Sequence, residues 1–327
     1  MRAWQVSGRG EPRDVMRMAP TELPAAPLGA GELRIRVRAA ALGFPDVLMC
    51  RGLYPLTPAQ PFTPGQEFFG EVTAAGPGTT TQVGTQLMGI AGFMMGLGSF
   101  AEESRTQESM TFPVPAGMSP EAAAGFTIQF HTAYIGLKRR AKLAAGETLL
   151  VTGAAGGTGA AAVQMGKALG ARVIAAAGGP DKAAACRALG ADLAIDYLAE
   201  DFVAAVYAAT GGRGADVVFD PVGGETFEKA VGCLAMEGRI LPIGFASGKW
   251  GNVRPEIFAF KNASLVGAIA GMFPRQEMLA MHDEILTLHA AGQLDPLLDR
   301  VIGFDEIGQG LQDLADRTVR GRVVATF

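Results

Sequence analysis

Cysteine is scarce in this chain of 327 residues: Cys50, Cys186 and Cys233 stand far apart, with no Cys-x-x-Cys run. That spacing excludes a disulfide framework and a structural zinc ribbon. Histidine is equally scarce, and of His131, His282 and His289 the last two lie two helical turns apart, too far to share an ion. No zinc site is expected. Charged residues make up 18%, the net charge is −4 and no Lys/Arg-rich block occurs, so a nucleic-acid partner is not expected. No stretch of about 18 uninterrupted apolar residues exists, so no membrane span is expected. The opening residues carry Arg2, Arg9 and Glu11 where a signal peptide would need an apolar run, and free thiols in the cytoplasm are the expectation. A Gly-x-Ser-x-Gly elbow is also missing, which leaves a hydrolase unsupported.

What is present is length and apolar content, 49% of residues, enough for two cores. Residues 1–120 read as short strands and glycine/proline turns. Leu33-Arg34-Ile35-Arg36-Val37-Arg38 alternates with period two, the mark of a half-buried strand, and 71–76 reads as another. Pro55, Pro58, Pro61 and Pro64 mark an irregular loop, and the glycine- and methionine-rich stretch 84–99 reads as a loop that could flank a pocket. A barrel-like or sandwich β domain follows from this. Ser119 is placed to cap a helix with Pro120 at its first position. From Thr148 strands and helices alternate, with strands at 172–177, 193–196, 216–220, 239–243 and 264–268 and with Gly170 and Gly190 closing helices. Six buried strands joined by crossovers predict a doubly wound parallel sheet. After a helix at 276–291, strands at 300–304 and 322–327 are expected to return to the first domain.

The run Thr148-Leu149-Leu150-Val151-Thr152-Gly153-Ala154-Ala155-Gly156-Gly157-Thr158-Gly159 joins a β-rich segment to a small-residue helix. That is the setting in which a glycine fingerprint binds a dinucleotide, although Ala154 stands where Gly-x-Gly-x-x-Gly has its first glycine. Gly156 and Gly157 let the backbone approach a pyrophosphate, and Gly159 lets the helix pack closely on the strand. Ala155 and Thr158 complete the predicted cradle. About 20 residues on, where an NAD-selective fold places a carboxylate, the chain has Gly178-Gly179-Pro180 and then Lys182. Lys182 reads either as a partner for a 2′-phosphate or as a solvated first-turn residue; Asp181 reads as a helix cap. NADPH is expected over NADH.

With no metal or nucleophile motif, the chemistry falls to a cofactor hydride and a proton source. Tyr54, in the Gly/Pro loop, is a candidate donor or a packed tyrosine. Asp46 is a candidate acid or the cap of a helix at 46–51. Glu67, among apolar neighbours, is an acceptor for backbone N–H groups or the polar floor of a site, and His131 is a core histidine or a catalytic one.

Taken in order, several segments resemble the zinc-free quinone oxidoreductase branch of the medium-chain dehydrogenase/reductase superfamily. They are Leu42-Gly43-Phe44-Pro45-Asp46, Arg51-Gly52-Leu53-Tyr54, Pro64-Gly65-Gln66-Glu67-Phe68, Gly98-Ser99-Phe100-Ala101-Glu102, the fingerprint, Asp220-Pro221-Val222-Gly223-Gly224 and Arg317-Thr318-Val319-Arg320-Gly321. The resemblance implies an α/β chain: a GroES-like β-rich catalytic domain (1–122, completed by 269–327) and a Rossmann NADP-binding domain with a doubly wound parallel sheet (123–268). It implies a homodimer and the reduction of quinones or conjugated enones by NADPH, without zinc or flavin. Carried over by position, Lys182, Tyr197 and Arg317 surround the 2′-phosphate and Gly178 and Gly179 meet the adenosine ribose. Thr132, Gly244, Phe245, Ala268 and Ile269 line the nicotinamide side. Zinc-dependent relatives have ligands where this chain has Phe44 or Pro45 and Gln66. Gly43 stands where the family commonly has Asn, and Gln129 and His131 are polar where small or apolar residues are usual. A related branch, the enoyl-thioester reductases, has a tyrosine resembling Tyr54 as its proposed proton donor. A non-catalytic structural or RNA-binding role is the alternative of another class.

Overall fold

A computed structural model of the chain describes every residue except Met272. Two compact units divide it: Met1–Ile128 with Arg275–Leu279 and Leu298–Phe327, and Gln129–Pro274 with Ala280–Leu297.

The first unit is built on a seven-stranded sheet. Its spine is the strand Glu32–Leu42, in which Leu33, Ile35 and Val37 are buried while Arg36 and Arg38 face solvent, as period-two alternation requires. From Ala39 to Leu42 both faces are buried, because further chain covers this half of the strand. The strand Glu67–Ala75 pairs with it antiparallel, and so does Arg322–Thr326, which is itself parallel to Leu298–Gly303. The expected strand at 71–76 thus begins at Glu67, four residues earlier. The stretch 84–99 is not all loop: Gln86–Ile90 is a strand of the same sheet. The helix expected at 46–51 runs from Phe44 to Cys50, with Gly43 as its N-cap and Asp46 in its first turn. The core includes Phe62, Phe68, Phe100, Met49 and Leu42.

The second unit holds a six-stranded parallel sheet. Numbering its strands in chain order (Thr148–Val151, Arg172–Ala177, Leu193–Asp196, Ala215–Asp220, Leu234–Pro242, Ser264–Leu265), the order across the sheet is 3-2-1-4-5-6. This is the doubly wound arrangement, and its strand order reverses between strands 1 and 4. Near-continuous burial along strands 1, 2 and 4 reflects cover on both faces. The sixth strand departs from expectation: it is two residues long rather than five, and both are exposed at the sheet edge. Gly170 and Gly190 close their helices with φ of 80° and 96°. Asp181 is not a cap; Gly179 is the N-cap of Pro180–Ala188, with φ 95°, and Asp181 lies in the first turn. Ser119 does cap its helix, accepting the Ala122 N–H at 3.2 Å.

Candidate functional site

In the second unit the candidate cofactor residues gather beyond the C-terminal ends of the parallel strands. Strand 1 runs out at Val151, and Gly156 caps the helix Gly157–Ala168, leaving that helix's first N–H groups to face an anion. Gly159 is there for space: a Cβ on it would stand 2.3 Å from the Gly153 carbonyl oxygen and 2.8 Å from Ala154 Cα. At the switch point the Asp220 carboxylate, fully buried, accepts the Thr152 hydroxyl and, at 2.8 Å, the Gly223 N–H. Burial pushes its pKa up and these donors pull it back. Neither Thr152 nor Asp220 was singled out as a site residue; a carboxylate closing an apolar strand is the signal that marks it.

Strands 2 and 3 place Ala177 opposite Asp196, which brings Gly178 beside Tyr197 and Gly179 beside Asp196, while Lys182 lies in the first turn of the helix Pro180–Ala188. The Tyr197 ring lies against Gly178, where a Cβ would come within 2.8 Å of the hydroxyl oxygen. Asp196 is engaged locally, accepting the N–H groups of Gly179 (2.7 Å) and Leu198 (3.0 Å). Gly244 and Phe245 follow strand 5, the Phe245 ring 4.6 Å from that of Trp250. Ala268 is half-buried and Ile269 exposed in irregular chain after strand 6, and Thr132 is half-buried in the helix Thr127–Tyr134. His131, its neighbour, is buried with His282: Nε2 of the first lies 3.0 Å from Nδ1 of the second. The residues 151 positions apart form a hydrogen-bonded imidazole pair that no local spacing announces. Arg317 belongs to the first unit, where its guanidinium lies 5.8 Å from the centre of the Phe44 ring. The arrangement has the form of a dinucleotide cradle: glycines at the strand-to-helix turn, N–H groups at a helix start and a lysine in the first turn of the next helix.

In the first unit Asp46 is fully buried and works through backbone groups. Oδ2 accepts the Gly43 N–H (3.0 Å) and Oδ1 the Gly65 N–H (2.9 Å), tying the helix start to the loop before Glu67. Glu67 accepts the Ile128 N–H at 2.8 Å and pairs with Arg322, 255 residues away. Tyr54 is half-buried, its ring 6.5 Å from that of Phe93. Burial raises the phenol's pKa, and a hydrogen bond with Gln66 opposes the rise. Phe44, Pro45 and Gln66 supply no zinc ligand, and among the described residues no group of three or more His, Cys, Asp or Glu is placed to hold a metal ion.

Burial pushes Asp46 up to about 6 from the ordinary 3.8, against the two N–H donors and Arg322. Sign follows from linkage: a carboxyl that holds its proton more tightly when folded stabilises the fold below its unfolded pKa, and loses that contribution as pH rises from about 4 through about 6. The difference of about two pKa units sets the scale at ~3 kcal/mol. Urea melts at pH 4 and pH 7 are expected to show Asp46→Asn gaining stability relative to wild type as pH rises. A gap independent of pH would show that Asp46 ionises normally.

Residues 29–116 match the alcohol dehydrogenase GroES-like domain and residues 157–287 the domain described as zinc-binding dehydrogenase. The donor set above does not fit the zinc in that description. The chain is 35% identical over 303 residues to a quinone oxidoreductase-like protein 2 homolog of Nematostella vectensis, covering 91% of this chain and 82% of that one. It is 32% identical over 326 residues to prostaglandin reductase-3 of Bos taurus, covering 94% and 83%. The crystal structure of Escherichia coli quinone oxidoreductase complexed with NADPH superposes with a TM-score of 0.91 at 26% identity, over the whole of both chains. The glycine cradle, the doubly wound order and these likenesses together place the chain in the medium-chain dehydrogenase/reductase superfamily, among its quinone oxidoreductase-like members.

Proposed function

We propose that the chain is an NADPH-dependent reductase of quinones or electron-poor alkenes, working without zinc or flavin. The observation that carries the cofactor choice is the turn after strand 2. Gly178 meets Tyr197 there, Lys182 opens the helix that follows, and the nearby carboxylate, Asp196, accepts two backbone N–H groups. Lys182 then serves a 2′-phosphate, and the fingerprint residues Ala155 to Gly159 hold the pyrophosphate. Thr132, Gly244, Phe245, Ala268 and Ile269 line the nicotinamide. Bound NADPH supplies a hydride; the chain's own residues orient the acceptor, exclude water and deliver a proton. Tyr54 is the proton donor in this reading, its raised pKa keeping it protonated at neutral pH. Asp46 serves it as a positioning residue, holding Gly43 and Gly65.

The enoyl-thioester reading needs cations for the carrier phosphates. Arg51 is held by Glu11 through two 2.8 Å bonds, Lys138 by Glu284 and Arg140 by the Gly267 carbonyl. With these groups engaged, a free quinone or enone is favoured. A structural or RNA-binding role has no feature of its own here. The exposed sixth strand, with Phe260, Leu265 and Ile269 uncovered, supports a homodimer formed along that sheet edge. The buried thiols Cys50, Cys186 and Cys233 suit a cytoplasmic setting, and no described helix is long and apolar enough to cross a membrane.

The test is NADPH consumption with 1,4-quinones, simple enones and an enoyl-CoA, with NADH as control. Turnover of the free acceptors, with Tyr54→Phe lowering kcat about 100-fold or more, is the expected result. Preference for the thioester would move the chain to the enoyl reductases. NADPH binding without turnover of any acceptor would remove the enzyme reading.

A further inference from the structure

We propose that Thr152 and Asp220 form a latch that sets the spacing of the cofactor crevice in the second unit, acting through the turns they join. This deepens the reductase reading and rests on its assignment of NADPH to that crevice.

The strand order reverses between strands 1 and 4, and the turns that leave these two strands flank the crevice. Backbone pairing runs out at this point. The ladder ends at Val151 opposite Phe219, and the Thr152 N–H still reaches the Phe219 carbonyl at 3.1 Å. From there one chain enters the glycine turn Gly153–Gly159 and the other the turn Pro221–Gly224. Side chains continue the connection across the gap. Thr152 Oγ1 donates to Asp220 Oδ1, and Oδ2 of the same carboxylate accepts the Gly223 N–H at 2.8 Å. Both side chains are fully buried, so neither offers an atom to a ligand in the crevice, and both are positioning residues.

A hydroxyl and a carboxylate are costly at the end of two apolar strands, where a pair of aliphatic residues would pack without loss of hydration. What the polar pair adds is a fixed direction and distance. Contacts carry that constraint outward on both sides. Gly153 has φ 54°, and a Cβ on it would stand 2.8 Å from Val222 Cγ2, so the first turn rides against the second. Gly223 has φ 72°, and a Cβ there would stand 2.4 Å from the Lys249 carbonyl oxygen and 3.1 Å from Phe245 Cα. The Val222 carbonyl accepts the Ser247 N–H at 2.8 Å, and the Asp220 carbonyl the Ile243 N–H at 2.8 Å. One carboxylate thus ties the glycine turn to the segment bearing Phe245. In the reductase reading these are the pyrophosphate and nicotinamide ends of the same ligand. A dinucleotide that spans both has to meet them at a set separation, and an error of about an ångström there is costly.

The test cuts the latch with Thr152→Val, which keeps the side chain's shape and removes its hydroxyl. That change leaves the buried Asp220 charge short of one donor. Thr152→Val with Asp220→Asn is therefore made beside it, removing the charge while the amide oxygen still accepts the Gly223 N–H. Thr152→Ser restores a hydroxyl. Each protein is titrated calorimetrically with NADPH and with adenosine 2′-monophosphate, which in this reading reaches only the turn after strand 2. The two cut variants are expected to lose about tenfold in NADPH affinity and to bind the monophosphate within about twofold of wild type. The double variant should be no weaker than the single, since both break the same bond, and Thr152→Ser should bind both ligands like wild type. Equal loss of both ligands would mean a general loosening of the unit and overturns the latch. Unchanged NADPH affinity in the cut variants also overturns it, and leaves the cofactor reading intact. Wild type that binds neither ligand overturns the cofactor reading, and the latch with it.

Discussion

Gly159→Ala is expected to weaken NADPH binding about 100-fold and to lower the stability of the dinucleotide unit by about 1–3 kcal/mol. The added Cβ would meet backbone on every side: the Gly153 carbonyl at 2.3 Å, Ala154 Cα at 2.8 Å and the Gly153 carbonyl carbon at 2.9 Å. None of these can swing aside, so the helix Gly157–Ala168 has to move off the strand that feeds it. Its first N–H groups move with it, and an ångström of displacement there is enough to spoil a phosphate site. Gly156→Ala is the informative control. Its φ of −81° suits alanine, and the nearest atom to its Cβ would be the Gly153 oxygen at 3.4 Å. That variant should melt close to wild type and lose affinity only because its methyl meets the ligand. Fluorescence titration with NADPH beside thermal melts separates the two. Equal melting of Gly159→Ala and wild type would show that the helix has slack.

The second large effect concerns the buried pair in the other unit. Arg322→Met is expected to destabilise the chain by about 3–5 kcal/mol, because Glu67, 1% exposed, keeps its burial and loses the cation it pairs with. Burial already pushes Glu67 up to about 7 with Arg322 in place. Without Arg322 it should take up a proton at neutral pH, and the deficit should shrink as pH falls. Glu67→Gln in the same background removes the uncompensated charge and should recover most of the loss. Chemical denaturation of the single and double variants checks this; additive losses would mean that the two side chains do not act as a unit.

These two positions also mark how far the sequence alone could be read. Gly159 was legible because its meaning is local: strand, glycines and helix adjoin in the chain. Strands 172–177 and 193–196 were legible for the same reason, each an apolar run bounded by a helix-closing glycine. The sixth strand was overextended, since Ser264 to Ala268 is apolar enough for a buried strand but only two residues find partners at the sheet edge. Asp181 was misplaced as a cap because Gly179 takes that position through a positive φ, which composition does not display. Glu67–Arg322 and His131–His282 join residues 255 and 151 apart, and spacing along the chain carries no trace of either. One sign was available. An arginine opening an otherwise apolar strand must be neutralised or face water, and Arg322 with Val323 and Val324 was such a case.

The pairing of Arg322–Thr326 with Glu32–Leu42 also sets a constraint on how the molecule can be made. A ribosome releases the spine of the first unit long before Leu298–Gly303 and Arg322–Thr326, which complete its sheet. Until then Ala39 to Leu42 lack one neighbour and Glu67 lacks its arginine, so the nascent amino-terminal unit waits, unfinished, for some 250 residues of translation. The parallel sheet of the second unit is assembled from a single uninterrupted stretch, Thr148 to Leu265, and can close in the interval. Loss of the strand Arg322–Thr326 would therefore be felt in a part of the chain synthesised long before it.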